Sequence, residues 1–204
     1  SEDRIIQLVD GFLVTSDYTA GVIRERGFGH KPIIVVPPAP TVVPSHSVPP
    51  SRDFFRGLIV GNLIRRKGIL EFLQELEPML TKEDKFYIRI AGRQDLEPEY
   101  GEEVLKFIGT SKNFNDKVQF VGALSPDALG EIYSASNVLI SPSGMETYGM
   151  ALAEARLFGL GLLVREGGCS AYHIDPGING KVFSSVPELA ERVTLLIRDM
   201  TALQ

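Results

Sequence analysis

Two glutamates eight positions apart, Glu146 and Glu154, are the residues of this chain best placed to do chemistry. Glu146 lies among turn formers in the stretch SPSGMETYG (141–149), where an acid is ordinary. Glu154 lies in ALAEA (151–155), on a segment that is apolar on nearly every face from Gly149 to Phe158. A helix hydrophobic all round is a buried one. A buried carboxylate without partners is costly, so something must take its charge or donate hydrogen bonds to it. Arg156 stands only two positions on, projects to a different side of the helix, and is a poor partner. Two readings stay open: a lysine or arginine from another segment, or a ligand with paired hydroxyls. At the helical rise the two acids lie at most about 12 Å apart along the axis, enough to serve the two ends of an extended ligand.

The turn ahead of Glu154 has its own chemistry. Its small residues let backbone N–H groups face outward, and the helix entered near Tyr148 adds the positive end of a dipole. That combination suits a phosphate without a basic side chain. The plainer reading is that Ser, Gly and Thr cap a helix, with Glu146 favourable in its first turn. A second turn, GNLIRRKG (61–68), sets Arg65, Arg66 and Lys67 immediately before a helix, where cations oppose the dipole. Such placement makes sense beside an anion such as a diphosphate; a solvated basic loop is the alternative. The pair Gly167–Gly168 marks either a close backbone approach or an ordinary turn. The single cysteine, Cys169, excludes an internal disulfide and fits a reducing cytoplasm. No spaced ligand set is formed by His30, His46 and His173, which read as surface or linker residues, and nothing resembles a metal site.

These residues need elements to hold them. Short β-branched runs at 11–15, 33–36, 57–60, 86–91, 117–121, 137–141 and 162–164 alternate with helical periods. The helices are expected at about 18–26, 67–80, 97–107, 126–134, from Tyr148 onward, and 187–200. Alternation of this kind predicts βαβ units and a parallel sheet covered on both faces. The fold class is therefore α/β, a doubly wound parallel sheet of about six strands with right-handed crossovers. Ligands of such sheets bind at the carboxyl ends of the strands. Seven of the 13 prolines fall between 32 and 50, which predicts an extended connector. With 204 residues, 44% hydrophobic and 23% charged, the chain has the composition of an ordinary globular domain. A net charge of −5 gives no reason to expect nucleic acid or anionic membrane as partner. No apolar run reaches the roughly 20 residues of a membrane helix, and no signal peptide is visible.

Taken together, these motifs resemble the C-terminal, sugar-donor-binding domain of a GT-B-type retaining glycosyltransferase of family 4, the glycosyl transferases group 1. The resemblance rests on residues 57–68, 86–92, 120–129 and 175–183, on Gly167–Gly168, and above all on PSGMETYGMALAEA (142–155) with its E-x7-E spacing. It implies a nucleoside-diphosphate sugar as substrate and no cofactor or metal in this half. It assigns Glu154 to the ribose hydroxyls, Glu146 to the transferred sugar, and Lys67 to the diphosphate. The backbone around Tyr148, Gly149 and Met150 would hold phosphate and sugar, with Gly61, Asn62 and Arg66 completing the site and the loops after Ala91 and Val121 beside the base. Lys67 and Glu146 are then the catalytic candidates. The sequence departs from the family where Asn62 replaces the usual arginine of a diphosphate clamp, a role open to Arg65 or Arg66. Further departures are Gly161, Ala171 and the glycine-free PPAP (37–40).

By the same resemblance, residues 1–52 are the remnant of an N-terminal domain plus the Pro-rich linker, and 53–204 the nucleotide-sugar-binding domain. A first residue of Ser rather than Met fits a trimmed start. The expected activity is hexosyl transfer with retention, to a sugar or lipid-linked acceptor bound by the missing N-terminal half, with little transfer by this chain alone. The expected location is cytoplasmic, peripheral at a membrane if the acceptor is a lipid. The alternatives are a domain that binds a sugar nucleotide or a partner but has lost transfer, and a related fold used for phosphorolysis or epimerisation.

Overall fold

The structure, a computed structural model, describes residues 2–44 and 54–203. The chain opens with helix α1 (Glu2–Leu8), strand β1 (Phe12–Val14), helix α2 (Asp17–Ile23), continued as a π-turn to Phe28, and strand β2 (Ile33–Val35). β1 and β2 pair in parallel as a two-stranded sheet of their own, Leu13 opposite Ile34. Ser16 caps α2 by accepting from the Thr19 amide at 3.2 Å. Lys31 donates to the carbonyls of Ile6, Gln7 and Val9 at the end of α1, satisfying groups a helix terminus leaves free.

After the linker comes a six-stranded, all-parallel sheet. Its strands are β3 (Phe55–Val60), β4 (Phe86–Ala91), β5 (Val118–Gly122), β6 (Val138–Ser141), β7 (Gly161–Arg165) and β8 (Gly180–Phe183). The crossovers carry α3 (Ile69–Leu76), α4 (Pro98–Thr110), α5 (Pro126–Ser134) and α6 (Met150–Leu157), and α7 (Val186–Arg198) closes the fold. The spatial order β5-β4-β3-β6-β7-β8 reverses direction between β3 and β6. That is the switch point of a doubly wound sheet, where a ligand crevice opens.

Successive side chains of each strand feed two different cores, which is why the strands read as continuous apolar runs. Ile59, Ile88, Ile140 and Leu163 join Phe72, Leu73, Tyr100 and Leu196 on one face. On the other, Leu58, Leu139, Leu162 and Val164 join Tyr133, Leu152 and Phe158. Val42, from the linker, is buried in this second core.

The expected fold class stands, with small differences in its elements. α5 begins and ends as expected, because Ser125 caps it and Pro126 occupies its first turn. α3 starts at Ile69 rather than Lys67, because residues Arg65–Lys67 form a 3₁₀ turn. α6 starts at Met150 rather than Tyr148, since Gly149 takes a left-handed conformation (φ 91°) that a helix cannot continue. Helix α1, β8 and the short turn Ser170–His173 were not expected. The stretch 45–53 of the Pro-rich linker, His46 included, lies outside the described residues. No helix among the described residues is long and apolar enough to cross a membrane.

Candidate functional site

A cleft of about 540 Å³ opens at the carboxyl ends of β3, β4 and β6. It is lined by Gly61, Asn62, Lys67, Glu146, Tyr148, Gly149, Met150 and Glu154, together with Ala91, Gly92 and the linker residues Pro38 and Thr41. The expected site residues are thus brought together with one exception: Arg66 is not among them. A larger groove of about 1150 Å³ follows the edge strand β8, but it reaches Gly161 and Gly180, at the amino ends of β7 and β8. In a parallel sheet that is the wrong end for a ligand.

At the mouth of the cleft Lys67 Nζ lies 2.5 Å from Glu146 Oε1, with side chains 19% and 12% exposed. The two catalytic candidates therefore neutralise each other here. Backbone contacts hold this pair in place. Gly144 N donates to Arg66 O at 3.0 Å, and Arg66 Nη1 donates to the Met145 carbonyl. Arg66 braces the 143–146 turn and does not face the cleft. Arg65 turns away from the site, donating its amide to Glu97 and placing its guanidinium 5.3 Å from the Tyr100 ring centre. Neither arginine replaces the clamp cation absent at position 62. Asn62 itself is committed elsewhere, its Oδ1 accepting from the Arg93 amide at 3.0 Å.

On the other flank the loop after β7 meets the same turn. Glu146 N donates to Gly167 O and Cys169 N to Glu146 O, at 3.3 and 2.7 Å. A Cβ on Gly167 would fall 2.3 Å from Gly144 O, and one on Gly168 2.2 Å from Glu146 O. The glycine pair is thus a close backbone approach. Cys169 is buried, and burial pushes its thiol up, which makes it a poor nucleophile.

Helix α6 begins with unfilled hydrogen-bonding capacity. Gly149 O accepts from Leu152 N and Ala153 N, while the amides of Gly149, Met150 and Ala151 find no acceptor among the described residues. All three residues line the cleft, and no acid stands in the first turn of α6. The positive end of this helix is thus presented bare to the cleft.

Deeper in, Glu154 is 4% exposed. Its Oε1 accepts from Thr41 N and Thr41 Oγ1 at 3.2 and 2.8 Å, and its Oε2 accepts from Tyr133 OH at 3.0 Å. No lysine or arginine pairs with it among the described residues. Neutral donors satisfy the carboxylate instead, and one of them comes from the linker. Burial and the neighbouring carboxylate hold the Tyr133 phenol well above its ordinary range, so it stays protonated and donates. Thr41 and Tyr133 were not foreseen. The first sits in a proline run without periodicity, and the second reads as one more apolar position of α5.

His173 also corrects the sequence reading: it is 2% exposed and bonds through Nε2 to the Tyr148 carbonyl. His30 is a surface residue, as expected. The loop after Ala91 reaches the cleft through Gly92, whereas residues 122–126 do not. No group of three or more His, Cys, Asp or Glu side chains converges among the described residues.

An open parallel sheet with its crevice at the switch point, and a bare helix start facing that crevice, define a Rossmann-like α/β domain. The model of the glycosyl transferases group 1 matches residues 55–199, and the chain belongs to that family. An uncharacterized glycosyltransferase of Methanocaldococcus jannaschii is 30% identical over 123 residues, 60% of this chain and 30% of that protein. Sucrose-phosphate synthase of Thermosynechococcus elongatus superposes with a TM-score of 0.79 at 23% identity, over 98% of this chain and 52% of its own. HepE of Anabaena, solved in complex with UDP-glucose, superposes at 0.75 with 17% identity, over 95% of this chain and 55% of its own. The chain thus spans about half the length of these solved proteins.

Proposed function

We propose that this chain is the sugar-donor half of a retaining glycosyltransferase and binds a nucleoside-diphosphate sugar in the cleft between β3 and β6. The observation that carries the reading is the alignment of three unfilled amides, Gly149 to Ala151, with Lys67 in the same cleft. A diphosphate would accept from those amides and draw Lys67 away from Glu146, which frees Glu146 for the hydroxyls of the sugar. Glu154 takes one nucleoside hydroxyl through the capacity that Tyr133 leaves on Oε2, and a second by displacing Thr41 from Oε1. In transfer, Lys67 and the helix start stabilise the departing diphosphate, and the two glutamates orient sugar and nucleoside. The UDP-glucose complex of HepE favours uridine as the base.

Residues 1–52 act as the remainder of an N-terminal domain plus linker, and 53–204 as the sugar-donor domain. In favour of this division, the β1–β2 pair stands apart from the main sheet. The acceptor, a sugar or a lipid-linked one at a membrane surface, belongs to the N-terminal half. A second reading is a domain that binds the sugar nucleotide without transferring it. The uncharged Asn62 favours it, since Lys67 is the one cation lining the cleft among the described residues, where a clamp of two would stabilise the leaving group better.

Titration calorimetry of UDP tests the site. Glu154→Ala is expected to weaken UDP at least about tenfold, the worth of a hydrogen bond to a charged group. Lys67→Ala should weaken UDP while leaving uridine unaffected. Unchanged UDP affinity in both variants would sink the assignment.

A further inference from the structure

His173 is the buried titratable side chain beside this cleft that the mechanism above leaves without a task. It ends the short helical turn Ser170–His173, and its Nε2 lies 2.6 Å from the Tyr148 carbonyl oxygen. A carbonyl only accepts, so Nε2 carries the proton. The ring meets Tyr148 edge-on at 5.0 Å and 87°, and Tyr172 at 5.6 Å and 89°. Its backbone is held independently of that bond. Asn179 Nδ2 donates to His173 O at 3.0 Å, Asn179 Oδ1 accepts from Asp175 N at 2.8 Å, and Asp175 pairs with Arg156 of α6 at 2.9 Å. A side chain anchored in this way can impose an orientation on its partner.

Its partner needs one. The peptide joining Tyr148 to Gly149 is trans, so its C=O and N–H point in opposite directions. Gly149, at φ 91° and ψ 59°, has no Cβ to fix that peptide plane, and glycine tolerates either orientation. Nothing in the sequence of the turn itself therefore decides whether the Gly149 N–H faces the cleft.

We propose that His173 is a positioning residue for the anion-binding turn: by holding the Tyr148 carbonyl it keeps the Gly149 N–H turned into the cleft, and so sets the affinity for the diphosphate part of the ligand. This deepens the sugar-donor reading and rests on it. Burial holds the imidazole below its ordinary value against the opposing bond to Tyr148, with Arg156 lowering it further and Glu146 raising it. The ring is thus neutral at neutral pH, and its single N–H is the one given to Tyr148.

The test compares whichever of UDP, GDP and ADP the wild-type chain binds with the matching nucleoside, by calorimetry, in wild type, His173→Phe and His173→Gln. Phe keeps a ring without the N–H; Gln keeps a donor at similar reach. His173→Phe is expected to weaken the diphosphate about tenfold, leave the nucleoside within about twofold, and be largely rescued in His173→Gln. Diphosphate affinity undiminished in His173→Phe overturns the inference and leaves the sugar-donor reading intact. Equal loss of diphosphate and nucleoside also overturns it, by making the role merely structural. A wild-type chain that binds none of the three diphosphates contradicts the sugar-donor reading and this inference with it. Should His173→Phe fail to fold, nitrogen-15 NMR of the wild type decides: a proton on Nε2 supports the inference, and one on Nδ1 overturns it.

Discussion

Glu154 sits in a helix interior with no cation beside it among the described residues, and the three hydrogen bonds it accepts come from neutral groups. A carboxylate offers about four lone-pair sites, so little capacity is left on Oε2 for a ligand. A ribose that uses both hydroxyls must displace Thr41, which couples the nucleoside to the linker. Thr41→Val removes one of those bonds and keeps the branched shape. It should cost about 1 kcal/mol of stability in urea unfolding while raising the affinity for UDP, because the linker competes less well. Lower affinity in that variant would show instead that Thr41 holds Glu154 in place for the ligand. His173 makes a prediction in pH. Unfolded, it titrates near 6.5, and folding lowers that value. Between the two values the unfolded chain binds more protons, so this contribution is complete above pH 6.5 and is lost as pH falls. The lowered carboxylates Asp84, Asp95 and Asp199 act only around and below 3.8. Urea unfolding at pH 7.5 and 5.5 should show wild type losing more stability than His173→Phe; equal losses would contradict the placement.

Among the elements, α6 and the turn before it join fold to site. Gly149 takes a left-handed conformation, and a Cβ there would meet Leu152 Cδ1 at 3.0 Å and the His173 ring at 3.4 Å. Gly149→Ala should destabilise the fold by at least about 1 kcal/mol and weaken UDP as well, read by melting and calorimetry on the same sample. Retained UDP affinity would mean that the helix start is not where the anion binds. Much of this architecture is legible in the sequence. Strands buried on both faces leave continuous apolar runs such as 57–60 and 137–141, and α5 announces itself through Ser125 and Pro126. β8 is not legible, because Gly180 and Lys181 break the apolar pattern of this edge strand, which pairs with β7. The site is legible where one local segment carries it, as in Glu146 and Glu154 on 142–155. Thr41, Tyr133 and His173 reach it across 113, 21 and 25 residues of chain, and no local pattern encodes contacts of that range.

For the molecule as a whole, the main sheet has cores on both faces, whereas the β1–β2 pair leaves Leu13 and Ile34 73% and 61% exposed. Residues flanking the small sheet reach the larger unit at the site itself. Ser16 Oγ donates to Thr147 O at 2.5 Å, and Thr41 reaches Glu154. Both contacts fall on the turn or helix that the account assigns to the ligand, so occupancy of the cleft and the position of the first 44 residues should be linked. On the proposed function, transfer needs the acceptor-binding half as well, whereas binding of the nucleotide can be measured on this chain. Thermal unfolding against UDP, GDP, ADP and their sugar conjugates, with Lys67→Ala and Glu154→Ala alongside, is therefore the most direct measurement. A ligand at 100 times its dissociation constant adds about 2.7 kcal/mol, a rise of roughly 5–10 °C for a domain of this size. The account predicts that rise with one base family, largest for UDP and its conjugates, and reduced in both variants, to about half or less in Glu154→Ala. No rise with any nucleoside diphosphate, or an equal rise in wild type and both variants, would contradict it.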